Sequence, residues 1–109
     1  MPYYMIQAAY STEAWASQVA KPQNRLEQLE PVFTRLGGSI ESVYFTFGDY
    51  DIVAIAQFPD NKAAAALSLA ASSSGSVKSL KTTPLMTIEE GVDAMRQAGG
   101  SGYKPPVSG

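Results

Sequence analysis

The chain has 109 residues and a mass of 11.6 kDa, which is the size of one domain and too short for two separate hydrophobic cores. Basic and acidic residues nearly balance, 8 against 10, for a net charge of -2, so the chain lacks the basic excess that nucleic-acid binding requires. The chain contains neither Cys nor His, which excludes disulfide scaffolds, zinc fingers, Cys nucleophiles, Ser-His-Asp triads and His-ligated haem.

No stretch of the sequence is long and apolar enough to predict a membrane span. The first four residues lack the basic region and apolar core of a signal peptide. We therefore expect a cytoplasmic protein without a membrane or nucleic-acid partner. The 45% hydrophobic content is sufficient for one core, so neither a disulfide nor a structural metal is needed. We also expect no cofactor.

The first third of the chain predicts one strand and two helical segments. Residues 3–10 (YYMIQAAY) are aromatic and apolar, which is typical of a strand. Ser11 and Thr12 are good helix N-caps, and a short helix then carries Trp15 and Val19 on one face. A second helix is predicted to begin near Pro22 and to end at the glycines 37–38. Its apolar residues recur at helical spacing, and Pro31 predicts a kink within it; those residues are Leu26, Leu29, Phe33 and Leu36.

The middle of the chain predicts a β-hairpin. Residues 40–47 (IESVYFTF) and 50–58 (YDIVAIAQF) are rich in β-branched and aromatic side chains. Only Gly48 and Asp49 separate them, and a two-residue turn that contains glycine is typical of a tight hairpin.

The last third predicts a helix, a strand, a second helix and a tail. Asp60 is the expected N-cap of an alanine-rich helix through about Ser72, and residues 77–83 form the fourth strand, which Pro84 ends. Thr87 and Glu90 have the spacing of a capping box at the start of the last helix. We assign residues 1–97 to the domain and residues 98–109 (AGGSGYKPPVSG) to a tail without regular structure.

The predicted order is β-α-β-β-α-β followed by a helix, which is the ferredoxin-like α+β fold with a four-stranded antiparallel sheet and helices on one face. The third strand is apolar on both faces, because Val53 and Ile55 oppose the run Ile52, Ala54, Ala56 and Phe58. Helices cover only one of these faces. The sheet of a second copy is the favoured cover for the other face, and the C-terminal helix with the tail is the alternative.

Residues 44–51 (YFTFGDYD) resemble the signature of the GYD-domain family, through Gly48, Tyr50 and Asp51. Residues 25–38, residues 63–71 and residues 75–78 with Thr82 and Thr83 are similar to the family in order and spacing, so the resemblance extends from about residue 3 to residue 95. It implies a ferredoxin-like fold of the dimeric α/β-barrel type, mostly bacterial, without an established activity. Pro31 and the tail depart from the family pattern.

A second, weaker resemblance starts from Gly48, Tyr50 and Asp51, which lead into an apolar strand, a helix, Gly75 and a further strand. This order is similar to the effector-binding domain of leucine-responsive transcription regulators, and the resemblance implies amino-acid binding between subunits. The leading hypothesis is therefore a homodimer or higher oligomer that binds a small molecule in an aromatic-lined cavity. The alternatives are a cofactor-independent enzyme of monooxygenase or isomerase type that uses Tyr and Asp, and a purely structural interaction module. Whether the protein is an enzyme stays open at this stage.

The candidate ligand-binding residues are four aromatics and the motif carboxylate: Tyr4, Trp15, Tyr44, Tyr50 and Asp51. Gly48 is expected to supply a positive φ in the turn. Asp51 is expected to anchor the turn, through hydrogen bonds from backbone N–H groups or a pair with Lys78 or Lys81, more than to serve a ligand. Any ligand is then expected deeper, against the aromatic face of the sheet.

Overall fold

The structure, a computed structural model, describes residues 1–107. Four strands and four helices follow in the order β1 (Tyr3–Tyr10), α1 (Thr12–Ala20), α2 (Arg25–Arg35), β2 (Ser39–Phe45), β3 (Ile52–Gln57), α3 (Asn61–Ser73), β4 (Val77–Leu85) and α4 (Ile88–Gly99). The sheet has the strand order β2-β3-β1-β4, and every neighbouring pair is antiparallel. These observations confirm the ferredoxin-like α+β fold. No helix among residues 1–107 combines the length and the apolar character needed to cross a bilayer.

The core lies between one face of the sheet and the helices. Alternate residues of β1 and β3 point to that face, because the side chains of a strand alternate, and they are buried there with side chains of α2 and α3. Phe58 is fully buried and stacks on Phe33 of α2, with ring centroids 5.2 Å apart. Tyr4 meets the Phe58 ring edge-on at 5.8 Å, and its hydroxyl donates to Asn61 at the start of α3 at 2.6 Å. This aromatic cluster joins the sheet to both helices.

The helix boundaries follow from polar caps. Ser11, Asn24, Asp60 and Thr87 each accept a hydrogen bond from a backbone N–H in the first turn of the helix that they precede. The capping box is confirmed, since Glu90 also accepts from the Thr87 N–H. The predicted start of the second helix at Pro22 is wrong: α2 begins at Arg25, because the side chain of Asn24 provides the cap.

The end of α2 is the predicted glycine stop. Gly37 has φ 80°, a left-handed conformation that costs glycine little. The N–H of Gly37 donates to Thr34 at 3.0 Å and that of Gly38 to Phe33 at 2.9 Å, the two bonds of a Schellman motif. The helix continues through Pro31 as one element.

The hairpin of β2 and β3 is confirmed, but the prediction that a two-residue turn connects the strands is wrong. The two strands pair from Ser39 opposite Gln57 to Phe45 opposite Ile52, and six residues, 46–51, connect them. The N–H of Thr46 donates to the carbonyl of Asp51 at 2.8 Å, and the Thr46 hydroxyl donates to the carbonyl of Tyr50 at 2.7 Å. Gly48 has φ 116°, the positive value expected of it.

The second face of the sheet is open in the single chain. Met5, Val53 and Ile55 occupy its centre and are half-buried. Towards one edge, the neighbouring Glu41 carboxylate raises the pKa of the exposed Tyr3 hydroxyl, first by hydrogen bonding and then by its charge. The open face is thus an apolar centre with a polar border.

Helix α4 does not cover this face. Its apolar residues recur at spacings of four and three, and two of them are largely exposed, Ile88 at 86% and Met95 at 71%. Within residues 1–107, α4 makes at most marginal contact with the other helices and strands. The Cα radius of gyration is 17.8 Å, whereas a compact domain of this size has about 13 Å, so α4 and the residues after it extend away from the domain.

Two boundaries near the C-terminus differ from the sequence prediction. β4 continues through Pro84 to Leu85 rather than ending at residue 83. This is possible because β4 is an edge strand, where proline needs no ladder hydrogen bond on its outer side. α4 ends at Gly99, inside the predicted tail of residues 98–109. The last two residues of that tail lie outside the described residues.

Candidate functional site

An apolar cleft of about 260 Å³ lies between the sheet and helices α2 and α3. Its floor is formed by β1 and β3, and its walls by α2, α3 and β4; the residues that define it best are Ile6, Ala8, Ala54, Leu29, Ala71 and Leu80. The cleft exists because alanines occupy positions on both the floor and the α3 wall, so the opposing layers do not fill the space. Protein interiors seldom leave voids larger than a water molecule, and a partly open apolar space of this size is suited to a ligand.

The polar side chains at the mouth of the cleft come from the end of β1 and the start of α2. Tyr10 is 5% exposed, and its hydroxyl accepts a hydrogen bond from Nε of Arg25 at 3.2 Å. The Arg25 guanidinium also lies over the Tyr10 ring, 5.9 Å from its centroid, and one of its terminal nitrogens donates to Gln28 at 2.6 Å. No carboxylate lies within ion-pair distance of Arg25 in the described part of the chain. The mouth therefore carries a cation whose charge is not neutralised.

A second, more polar groove adjoins the cleft at this point. It runs between α1 and the start of α2 and includes Gln18, Lys21 and Gln28. It shares Tyr10, Arg25 and Ser76 with the cleft. Neither lining contains an Asp or a Glu. The apolar space thus opens into a region of positive charge.

Asp51 of the sequence motif supports the mouth from behind. A single carboxylate oxygen, Oδ2, accepts two hydrogen bonds. One comes from the backbone N–H of Tyr10 at 2.9 Å and the other from the indole N–H of Trp15 at 3.1 Å. The Trp15 ring in turn meets the Tyr10 ring edge-on at 5.2 Å. Asp51 therefore joins the β2–β3 connection to the end of β1 and to α1. No ion pair to Lys78 or Lys81 forms within residues 1–107.

Replacing Asp51 by alanine should lower stability without removing ligand binding. The change leaves the N–H of the buried Tyr10 and the indole N–H of Trp15 without an acceptor, which costs about 2–3 kcal/mol. In a domain of this size that corresponds to a fall in Tm of about 10 °C. Thermal melting followed by circular dichroism measures it.

Asp49→Ala is the matched control, because Asp49 is exposed and its carboxylate makes no hydrogen bond in the described part of the chain. Its Tm should equal that of the wild type. An Asp51→Ala protein that melts like the wild type would contradict the anchoring role, and Asp51→Asn should lie between the two because it keeps one oxygen acceptor.

The structure separates the five predicted ligand-binding residues. Trp15 and Asp51 lie together behind the mouth, whereas Tyr4 is in the core and Tyr44 is 64% exposed on the open face of the sheet. Tyr50 belongs to the β2–β3 connection, where its carbonyl accepts from Thr46. None of the five lines the cleft, and their role in ligand binding stays a prediction.

Sequence reasoning did not find Tyr10 as a site residue, nor Arg25. In the sequence, Tyr10 is one of several aromatic residues, and Arg25 stands at the start of a helix, where a charged surface residue is ordinary. Neither residue therefore stands out as part of a site. The cleft is also less aromatic than expected, with Phe33 and Tyr10 as its aromatic members among mostly aliphatic side chains. The run of alanines in α3 predicted only a close approach of this helix to the sheet.

No group of three or more Asp and Glu residues is placed to hold a metal ion in residues 1–107. The fold and the cleft define a ferredoxin-like α+β domain with an apolar cleft between sheet and helices. The GYD domain family model matches residues 4–95, so the chain belongs to the GYD domain family. No curated protein matches the sequence significantly.

Proposed function

We propose that the protein binds a small, largely apolar molecule in the cleft between the sheet and helices α2 and α3. The observation that carries this proposal is the unfilled apolar volume of about 260 Å³ between the sheet and helices α2 and α3. An apolar cavity of about 150 Å³ holds one benzene molecule, so this space corresponds to about ten carbon atoms. The cleft is partly open, which allows a ligand to enter without unfolding of the core.

The chemistry of the lining supports binding rather than catalysis as the primary role. The walls are aliphatic, and the polar groups are confined to the mouth and one rim. The motif carboxylate of Asp51 is occupied by two donors of the protein itself, which supports a structural role for it. These features favour the ligand-binding hypothesis over an enzyme that uses Tyr and Asp.

Filling the cleft should abolish the binding of a small neutral probe. Ala71 lines the cleft from α3, so Ala71→Phe places a phenyl ring in the space. Naphthalene has ten carbons and is fluorescent, and we expect its binding to the wild type to saturate and its binding to the variant to fall at least tenfold. Fluorescence titration measures both.

Ala65→Phe is the matched control, since Ala65 also lies on α3 but outside the cleft lining. That variant should bind naphthalene like the wild type. Circular dichroism melts of both variants verify folding. Naphthalene that fails to bind the wild type, or that binds Ala71→Phe undiminished, would refute the cleft as the binding site.

We further propose that the protein is a homodimer or higher oligomer that uses the open face of the sheet. Support comes from the apolar centre at Met5, Val53 and Ile55 and from α4, whose apolar side is largely exposed within residues 1–107. Exposed apolar surface of this extent is typical of an interaction site. Self-association by a symmetric contact covers both copies of such a face at once.

A further inference from the structure

We infer that the ligand of the cleft is an amphiphilic carboxylic acid, bound as its anion, with its apolar body in the cleft and its carboxylate at Arg25 and Tyr10. This inference rests on the proposed function and specifies the chemical class of the ligand. It follows from the hydrogen-bonding groups at the mouth, the charge around them and the size of the space behind them.

The mouth holds donors without acceptors. Arg25 uses Nε–H on the Tyr10 hydroxyl and one N–H on Gln28, which leaves three of its five N–H donors free in residues 1–107. The Tyr10 hydroxyl oxygen accepts a hydrogen bond from Arg25, but the hydroxyl proton has no acceptor among the described residues. Tyr10 is nevertheless buried, with 5% of its surface exposed. A carboxylate offers two oxygens that accept several bonds and matches the planar guanidinium.

The electrostatics select an anion over a neutral polar group. The cleft and the adjoining groove contain Arg25 and Lys21 and no acidic side chain. Half-burial of Arg25 weakens solvent screening of its charge, which strengthens an ion pair there. The hydrogen bond that the Tyr10 hydroxyl accepts from Arg25 polarises it. The hydroxyl is therefore a better donor to an oxygen of the ligand carboxylate.

The apolar part of the ligand is limited by the volume. About ten carbon atoms fit the 260 Å³ of the cleft by comparison with cavities that hold benzene. An unbranched acid of eight carbons therefore buries its chain and leaves its carboxylate at the mouth. A chain of more than about ten carbon atoms would exceed the volume of the cleft.

Isothermal titration calorimetry with octanoate and octanamide tests the inference, because the two probes share the chain and differ in the head group. We expect octanoate to bind wild-type protein about tenfold more tightly than octanamide. Arg25→Gln should remove this preference by weakening octanoate alone. Tyr10→Phe, which deletes only the hydroxyl, should reduce the preference for octanoate.

Arg35→Gln is the control, because Arg35 lies in the last turn of the same helix, exposed and outside the cleft. It should retain the full preference for octanoate. Equal affinities of octanoate and octanamide for the wild type, or a preference that survives Arg25→Gln, would overturn the inference and leave the proposed function in place. If neither these probes nor naphthalene bind, the proposed function fails as well.

Discussion

Gly38→Ala should destabilise the protein more than any other single methyl addition to its glycines. A Cβ at this position would lie 2.8 Å from a ring carbon of Phe58 and would also collide with the backbone carbonyl oxygen of Gln57. Neither neighbour can move easily: Phe58 is fully buried between Phe33 and Tyr4, and Gln57 is paired on both sides within the sheet. Overpacking of this kind costs about 3 kcal/mol, which lowers Tm by about 10 °C or more.

Gly91→Ala separates this steric effect from the general effect of replacing glycine. Gly91 lies inside α4, and a Cβ there meets no atom within 4 Å, so alanine should leave Tm unchanged or raise it slightly through its better helix propensity. Chemical denaturation of the three proteins gives the free energies of unfolding. A Gly38→Ala protein as stable as the wild type would show that α2 and β3 do not pack as closely as described.

The parts of the fold that were predictable are those with local causes. β1 was bounded correctly at Tyr3 and Tyr10, because an unbroken aromatic and apolar run is followed directly by a capping serine. The Schellman glycines and the capping box of α4 were likewise visible, since each depends on a few residues that are adjacent in the chain. The element order then led to the ferredoxin-like topology.

The turn between β2 and β3 was mispredicted because its cause is not local. One backbone bond, from the Thr46 N–H to the Asp51 carbonyl, closes the connection, and the carboxylate of Asp51 bonds to β1 and α1. This carboxylate thus accepts from donors on Tyr10 and Trp15, more than thirty residues earlier in the chain. A pattern of Gly and Asp between two strands carries no information about such distant partners.

The cleft could not be predicted for a related reason. It is a space that three layers of structure fail to fill, and its volume depends on how far α2 and α3 stand from the sheet. The hydrogen bond between Arg25 and Tyr10 joins residues that nothing in the sequence associates. What sequence could predict was the second apolar face of β3, because alternation within one strand is a local property.

Ile55→Lys should convert the protein to a monomer that keeps its fold. Ile55 lies at the centre of the open face, half-buried in the single chain, and the long lysine side chain can reach solvent there when no partner is present. In a symmetric dimer the change buries two opposing ammonium groups in an apolar contact, which unpaired charges do not tolerate. Light scattering at micromolar concentration should give at least twice 11.6 kDa for the wild type and 11.6 kDa for the variant.

Thr34→Lys adds the same charge on α2, on the opposite side of the sheet and exposed, so it should leave the oligomer intact. A stable association needs a total buried area on the order of 1,500 Å². α4, which makes at most marginal contact with the rest of residues 1–107, is then available to extend the contact on the open face. Wild-type protein that scatters as an 11.6 kDa monomer would exclude self-association, and the apolar face would then require a partner of different sequence.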